Sequence, residues 1–183
     1  MLTRIGKPAA AGDAVDLLLE CHERIRSFLA LARRIAEAGP SEPGVGEAAA
    51  RVRRYFVEAL PLHARDEEES IAPRLRGRDP AVDVELETMA REHRDHEPPL
   101  GALVAACEEI AGAPERLPVV APDLTRAVGE LERHFAPHLR REESVVFPAM
   151  RRLLDRAEDA AIIGEIRERR SGVARAETAS DPR

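Results

Sequence analysis

His63-Ala-Arg-Asp-Glu67-Glu68 followed by Pro73, and His138-Leu-Arg-Arg-Glu142-Glu143 followed by Pro148, are two copies of one pattern. Every matched position is offset by 75 residues, and Leu75 meets Met150 at the same offset. On a helix, a His and a Glu four residues apart lie one above the other on one face. Each copy therefore presents an imidazole and a carboxylate to a single point beside the helix. Imidazole nitrogen with carboxylate oxygen suits iron, zinc or manganese, and is poor for copper(I) or calcium.

Working outward from these copies, apolar residues recur at helical spacing in five stretches. They cover about 13–38, 47–75, 81–111, 123–154 and 156–170, with breaks at 39–44, 77–80 and 112–122. Asp123 is placed to cap the fourth. Pro98-Pro99 should kink or split the third, because neither can donate the helical hydrogen bond. The expected fold is all-α: an antiparallel up-down four-helix bundle over 13–154 with a short extra C-terminal helix at 155–170, packed on the outside. Residues 1–12 read as an N-terminal extension and 171–183 as a disordered tail. The two hairpins read as copies of one unit.

Composition limits the alternatives. In 183 residues only 3% are aromatic and Trp is absent, so the core must be aliphatic. A net charge of −6 gives no basic face for nucleic acid. The start of the chain carries no apolar stretch of signal-peptide length, and no run of 18 apolar residues occurs, so a cytoplasmic protein without a membrane partner is expected. Cys21 and Cys107 form no CxxC and are read as core fillers.

All six histidines fall in helical stretches. His22 lies 17 residues before Gly39 and His63 19 after Gly44, which at ~1.5 Å per residue puts both roughly 25–28 Å from the turn. His93 and His96 are similarly level with His138 about the second turn. One His-x-x-x-Glu pair is more often a solvated helix face. Two copies, with level histidines on both other helices, favour a dinuclear metal site. The candidate ligands are His22, His63, Glu67, His93, His96, His138 and Glu142. Glu68, Glu69 and Glu143 are read as solvated charge, and His134 as support for a ligand. Kinks at Pro61 and Pro137 would widen the bundle at this level. His-Glu-x-x-His and Glu-x-x-His are absent, which removes the zinc-protease pattern and the ferritin-like di-iron pattern.

The order His22, His63-x-x-x-Glu67-Glu68 to Pro73, Glu92-His93, and His138-x-x-x-Glu142-Glu143 to Phe147-Pro148 resembles the hemerythrin-like (HHE cation-binding) family over about 13–154. The resemblance implies two Fe ions in an oxo- or hydroxo-bridged di-iron centre with a position open to dioxygen. His22, His63, His93 and His138 would be terminal ligands, and Glu67 and Glu142 the bridges. Ile71-Ala72-Pro73 departs from the family's aromatic before the proline, and His93-x-x-His96 leaves two candidates on helix three. The expected function is binding of dioxygen or a related small molecule such as NO, for sensing, storage or delivery. The rivals are a di-iron enzyme acting on peroxide or nitric oxide, and an iron-handling or iron-donor protein.

Overall fold

The computed structural model describes residues 12–39 and 42–179, the last eight as backbone only. Most of the expected N-terminal extension, part of the first break and the final four residues of the expected tail lie outside the described residues. Among the described residues every regular element is helical. Helix α1 is Ala14–Glu37, α3 is Pro80–Gly112 and α5 is Arg156–Ala179. Helix α2 (45–75) joins α-helical Val45–Arg54, Leu60–Arg65 and Ala72–Leu75 through wider π-helical turns at Tyr55–Ala59 and Asp66–Ile71. Helix α4 (117–153) is α-helical at Leu117–Arg141 and Phe147–Leu153, around a π-helical turn at Glu142–Val146.

Local chemistry accounts for these ends. The Asp13 carboxylate accepts the Asp16 N–H at the head of α1, and the Asp79 carboxylate accepts the Ala81 N–H ahead of Pro80 on α3. Gly77, at φ +78°, takes the left-handed turn between α2 and α3 at no steric cost.

The prolines act differently from expectation. Pro61, Pro73 and Pro148 each stand two residues beyond a π-helical turn. A proline brings no N–H and its ring clashes with the preceding turn, and one extra residue per turn relieves the clash. The bonds show the wider ladder: the Ala72 N–H donates to the Glu67 carbonyl, and the Phe147 N–H to the Glu142 carbonyl. Pro137 lies in continuous α-helix and makes no such turn. Nor do Pro98-Pro99 split α3. The carbonyls they leave without a donor belong to Arg94 and Asp95, which are exposed and reach water. Helix α4 begins at Leu117, before the expected cap Asp123, with Pro118 in the first turn where its missing N–H is harmless.

Helix α1 packs on α2 and α4, and α3 on the same two. Their apolar faces form two cores. One gathers Ile25, Leu29, Val52, Phe56, Leu103, Leu131 and Phe135. The other gathers Leu18, Ile71, Leu86, Met89, Val146 and Phe147. The histidine and glutamate layer falls between them.

Helix α5 differs most from the sequence reading. It runs past Arg170 to Ala179, so the backbone of 171–179 is helical where a disordered tail was expected. It is also built into the second core: Ile162 and Ile166 are fully buried there. Arg169 donates to Asp66 Oδ1 at 2.6 Å and Arg170 to Asp66 Oδ2 at 2.9 Å, while Arg169 also reaches the Ser70 hydroxyl. These anchors tie α5 to the π-helical turn that carries Glu67.

Candidate metal centre

Six side chains converge in the layer between the cores: His22 from α1, His63 and Glu67 from α2, His93 from α3, and His138 and Glu142 from α4. Helical spacing sets two of the contacts. His63 Nε2 lies 3.3 Å from Glu67 Oε1, and His138 Nε2 lies 3.1 Å from Glu142 Oε1. The other oxygen of each carboxylate faces a histidine on a different helix. Glu67 Oε2 is 3.2 Å from His93 Nε2, and Glu142 Oε2 is 3.2 Å from His22 Nε2. Two four-residue groups result, His22–His63–Glu67–Glu142 and Glu67–His93–His138–Glu142, each with its ligand atoms within 4.8 Å of one another. The two glutamates belong to both.

Burial makes this cluster costly without a cation. His22 Nε2, both nitrogens of His63 and all four oxygens of Glu67 and Glu142 are buried without a well-aligned hydrogen bond. Unpartnered polar groups in such a place are unfavourable by kilocalories each. Burial pushes the Glu67 carboxyl up, but the His63 charge and contact with His93 outweigh it and hold it down at about 2. Glu142 goes the other way, raised by burial and then by the Glu67 carboxylate beside it. Burial pushes His63 down to about 4, while for His93 contact with Glu67 and then Glu68 overcomes burial and lifts it to about 9. Two carboxylates and four imidazoles in one dry layer fit one or two divalent cations, which would satisfy all of the orphaned atoms except His63 Nδ1.

The opposite ring nitrogens correct the sequence reading. Glu143 Oε1 meets His22 Nδ1 at 2.8 Å, Glu68 Oε1 meets His93 Nδ1 at 2.7 Å, and Glu92 Oε2 meets His138 Nδ1 at 2.9 Å. Glu68 and Glu143 are therefore not merely solvated charge. A carboxylate on Nδ1 fixes the tautomer and turns Nε2 toward the cluster. Arg26 and Arg141 in turn bond Glu143 and Glu92. Glu69 differs from the other two in pairing with arginines, Arg65 and Arg169, rather than with a histidine of the cluster. Glu92 was missed as a partner of His138. The residue beside a ligand points about 100° away around the helix, so it can reach the neighbouring helix's ligand. The Glu92-His93 and Glu142-Glu143 doublets carry that signal.

His96 stands outside both groups. Three residues past His93, it lies ~4.5 Å further along α3, buried against Phe135 with ring centroids 4.3 Å apart. Its centroid is 5.0 Å from that of His138. Burial, then the neighbouring imidazoles, pushes it down to about 3, so it is neutral. His134 packs against His96, at 5.7 Å between ring centroids. Cys21 and Cys107 are free and buried, as core fillers should be.

A cleft of about 420 Å³ leads inward between α2 and α3. Phe56, Leu60, Leu100 and Phe135 wall it, and His63, His93 and His96 line it. Among the described residues no helix is long and apolar enough to cross a membrane.

No curated protein matches the chain. The model of the hemerythrin HHE cation-binding domain matches it over residues 13–116 and 100–176, taking in all six converging side chains. With the geometry above, that match makes the chain a metal-binding member of the hemerythrin HHE cation-binding domain family.

Proposed function

We propose that this is a non-haem di-iron protein that binds dioxygen or a related small molecule, for sensing, storage or delivery. One observation carries the reading: Glu67 and Glu142 each turn their two oxygens to histidines on two different helices. That is how a carboxylate shared by two ions must be placed. His22 and His63 would hold one iron, His93 and His138 the other, and both glutamates would serve the pair. The arrangement is natural in an antiparallel up-down four-helix bundle, where each hairpin contributes one His-x-x-x-Glu helix and one histidine helix.

A pair of ferrous ions, if held there by these six side chains, would supply two electrons, the chemistry that dioxygen binding needs. The chain's own part is to place and protect. Glu143, Glu68 and Glu92 hold three imidazoles in the correct tautomer. Phe147, 5.0 Å from His22 between ring centroids, and Phe135, against His96, keep bulk water out. The apolar cleft admits a small guest to the His63 and His93 side. Arg26 and Arg141 balance two of the three outer carboxylates, Glu143 and Glu92.

Burial also bears on the rivals. An iron donor must release its ion readily, and five of the six residues here are at most 4% exposed. A peroxide- or nitric oxide-consuming enzyme could use the same pocket, and turnover separates it from a carrier. The test is iron content with the optical spectrum in air, after reduction, and after re-exposure to air. Two irons per chain with a reversible spectral change support reversible binding. Fewer than half an iron per chain after careful reconstitution refutes the di-iron reading, and steady peroxide consumption replaces the carrier by an enzyme.

A further inference from the structure

The outer carboxylates follow the chain's internal repeat. Glu143, next after Glu142 on α4, holds His22 of α1. Its counterpart Glu68, next after Glu67 on α2, holds His93 of α3. Glu92, just before His93 on α3, holds His138 of α4. The fourth member of this set would be the residue just before His22, reaching His63 of α2. That residue is Cys21. His63 Nδ1 is buried and has no hydrogen-bond partner among the described residues. The symmetry breaks at one side chain.

Cys21 cannot replace the carboxylate. It is 6% exposed, and a thiol is only a weak hydrogen-bonding group. Arg170 lies 3.3 Å from its Sγ. Arg170 thus lies beside Cys21 much as Arg141 lies beside Glu92, but the carboxylate it bonds is Asp66.

We propose that the two halves of the centre hold metal unequally: the His93–His138 half binds first and tightly, and the His22–His63 half binds second and exchanges its ion. Both imidazoles of the first half are held by carboxylates. Only one of the second half is. Loss of such a support weakens a metal site by about 10–100-fold, and the two halves share Glu67 and Glu142 equally, so the difference falls on the outer partners.

This inference rests on the dinuclear reading, and one experiment separates the two. Metal-free protein is titrated with Co²⁺ against a competing chelator, with the visible spectrum reporting each half. The wild type should fill in two steps at least tenfold apart in affinity. His63→Ala should remove the weak step alone, and His93→Ala should remove the tight one. Cys21→Glu should tighten the weak step until the two lie within about threefold, because the new carboxylate would hold His63 Nδ1, with Arg170 beside both it and Asp66. Glu92→Cys should loosen the tight step at least tenfold. Far-UV circular dichroism checks folding, and where Cys21→Glu fails to fold, Glu92→Cys with the two histidine variants decides. Two ions entering in one step, or loss of the tight step in His63→Ala, overturns this proposal and leaves the dinuclear reading standing. Uptake of no ion overturns both.

Discussion

Removing Arg169 and Arg170 together should unfold this protein at a much lower temperature, and the size of the drop follows from Asp66. That carboxylate is fully buried, and each oxygen has an arginine of α5. Burial holds its carboxyl above the ordinary value, with Arg170 and then Arg169 pulling it back. The cluster is therefore not a large net gain over an apolar one. Breaking it is another matter, since an uncompensated buried charge is typically destabilising by about 3–5 kcal/mol. In a chain of this size ~1 kcal/mol moves the melting temperature by about 2–4 °C. The double variant Arg169→Ala/Arg170→Ala should then melt roughly 6–20 °C lower. The assay is thermal melting of metal-free protein at neutral pH, followed by far-UV circular dichroism. Glu165→Gln, which breaks the Arg74–Glu165 pair between the same two helices at a more exposed place, should cost only about 0–1 kcal/mol. The sign of the pH effect also follows. A carboxyl raised in the folded state favours folding below its ordinary value and loses that contribution as pH rises through the raised one. Without its arginines Asp66 rises further, so the variant should regain part of its deficit in mild acid. A double variant melting within about 2 °C of the wild type, or a deficit that grows on acidification, would refute the reasoning.

Other outcomes follow from the same geometry. Glu67→Ala and Glu142→Ala, which remove both oxygens of a shared carboxylate, should each lose most of the iron. Glu143→Ala and Glu68→Ala should keep the site but weaken it about 10–100-fold, and Glu69→Ala should change nothing, as metal analysis after dialysis against a chelator will show. Metal bound only by the native state at about 1,000 times its dissociation constant adds ~4 kcal/mol, so loaded protein should melt clearly above metal-free protein; coincident curves would contradict an interior site. In metal-free protein His93 is raised to about 9 from an ordinary 6.5. Its protonation therefore stabilises the fold fully below about pH 6.5 and ceases to as pH passes about 9, and metal uptake should release protons and strengthen across that window. Potentiometric titration during loading checks this, and uptake without proton release would refute it.

The sequence made most of the six convergent residues legible because a helix is regular. A four-residue spacing fixes a face, and counting from a turn fixes a level, so His22, His63, Glu67, His138 and Glu142 could be named before any geometry, with His93 and His96 both left as candidates on helix three. The same regularity hides what crosses between helices. That Glu92 reaches His138, or that Asp66 meets Arg169 and Arg170 a hundred residues on, depends on how the helices are rotated against one another. His96 shows the limit from the other side. Periodicity allows it to share a face with His93, yet one rise of ~4.5 Å takes it out of the cluster and against Phe135. The prolines misled for a local reason. Their effect depends on whether the orphaned carbonyl can reach water, as at Pro98-Pro99, or the turn widens, as before Pro61, Pro73 and Pro148.

Where the two copies diverge, the centre acquires a direction. At the 75-residue offset Phe147 faces Ala72. Phe147 lies over His22 with ring centroids 5.0 Å apart, and His22 is fully buried. Ala72 brings no ring to the other copy, and the His93 side chain is 11% exposed. The cleft reaches the cluster on that side, lined by His63 and His93 but not by His22 or His138. A duplicated unit alone would give a centre equally open on both sides. Here Phe147 closes the His22 side and the cleft opens the other, with His63, the one imidazole of the four whose Nδ1 no carboxylate holds, on the open side. A guest molecule entering by the cleft therefore meets one imidazole of each half, His63 and His93, and filling the cleft by Leu100→Phe should slow any ligand's approach while leaving the metal content unchanged.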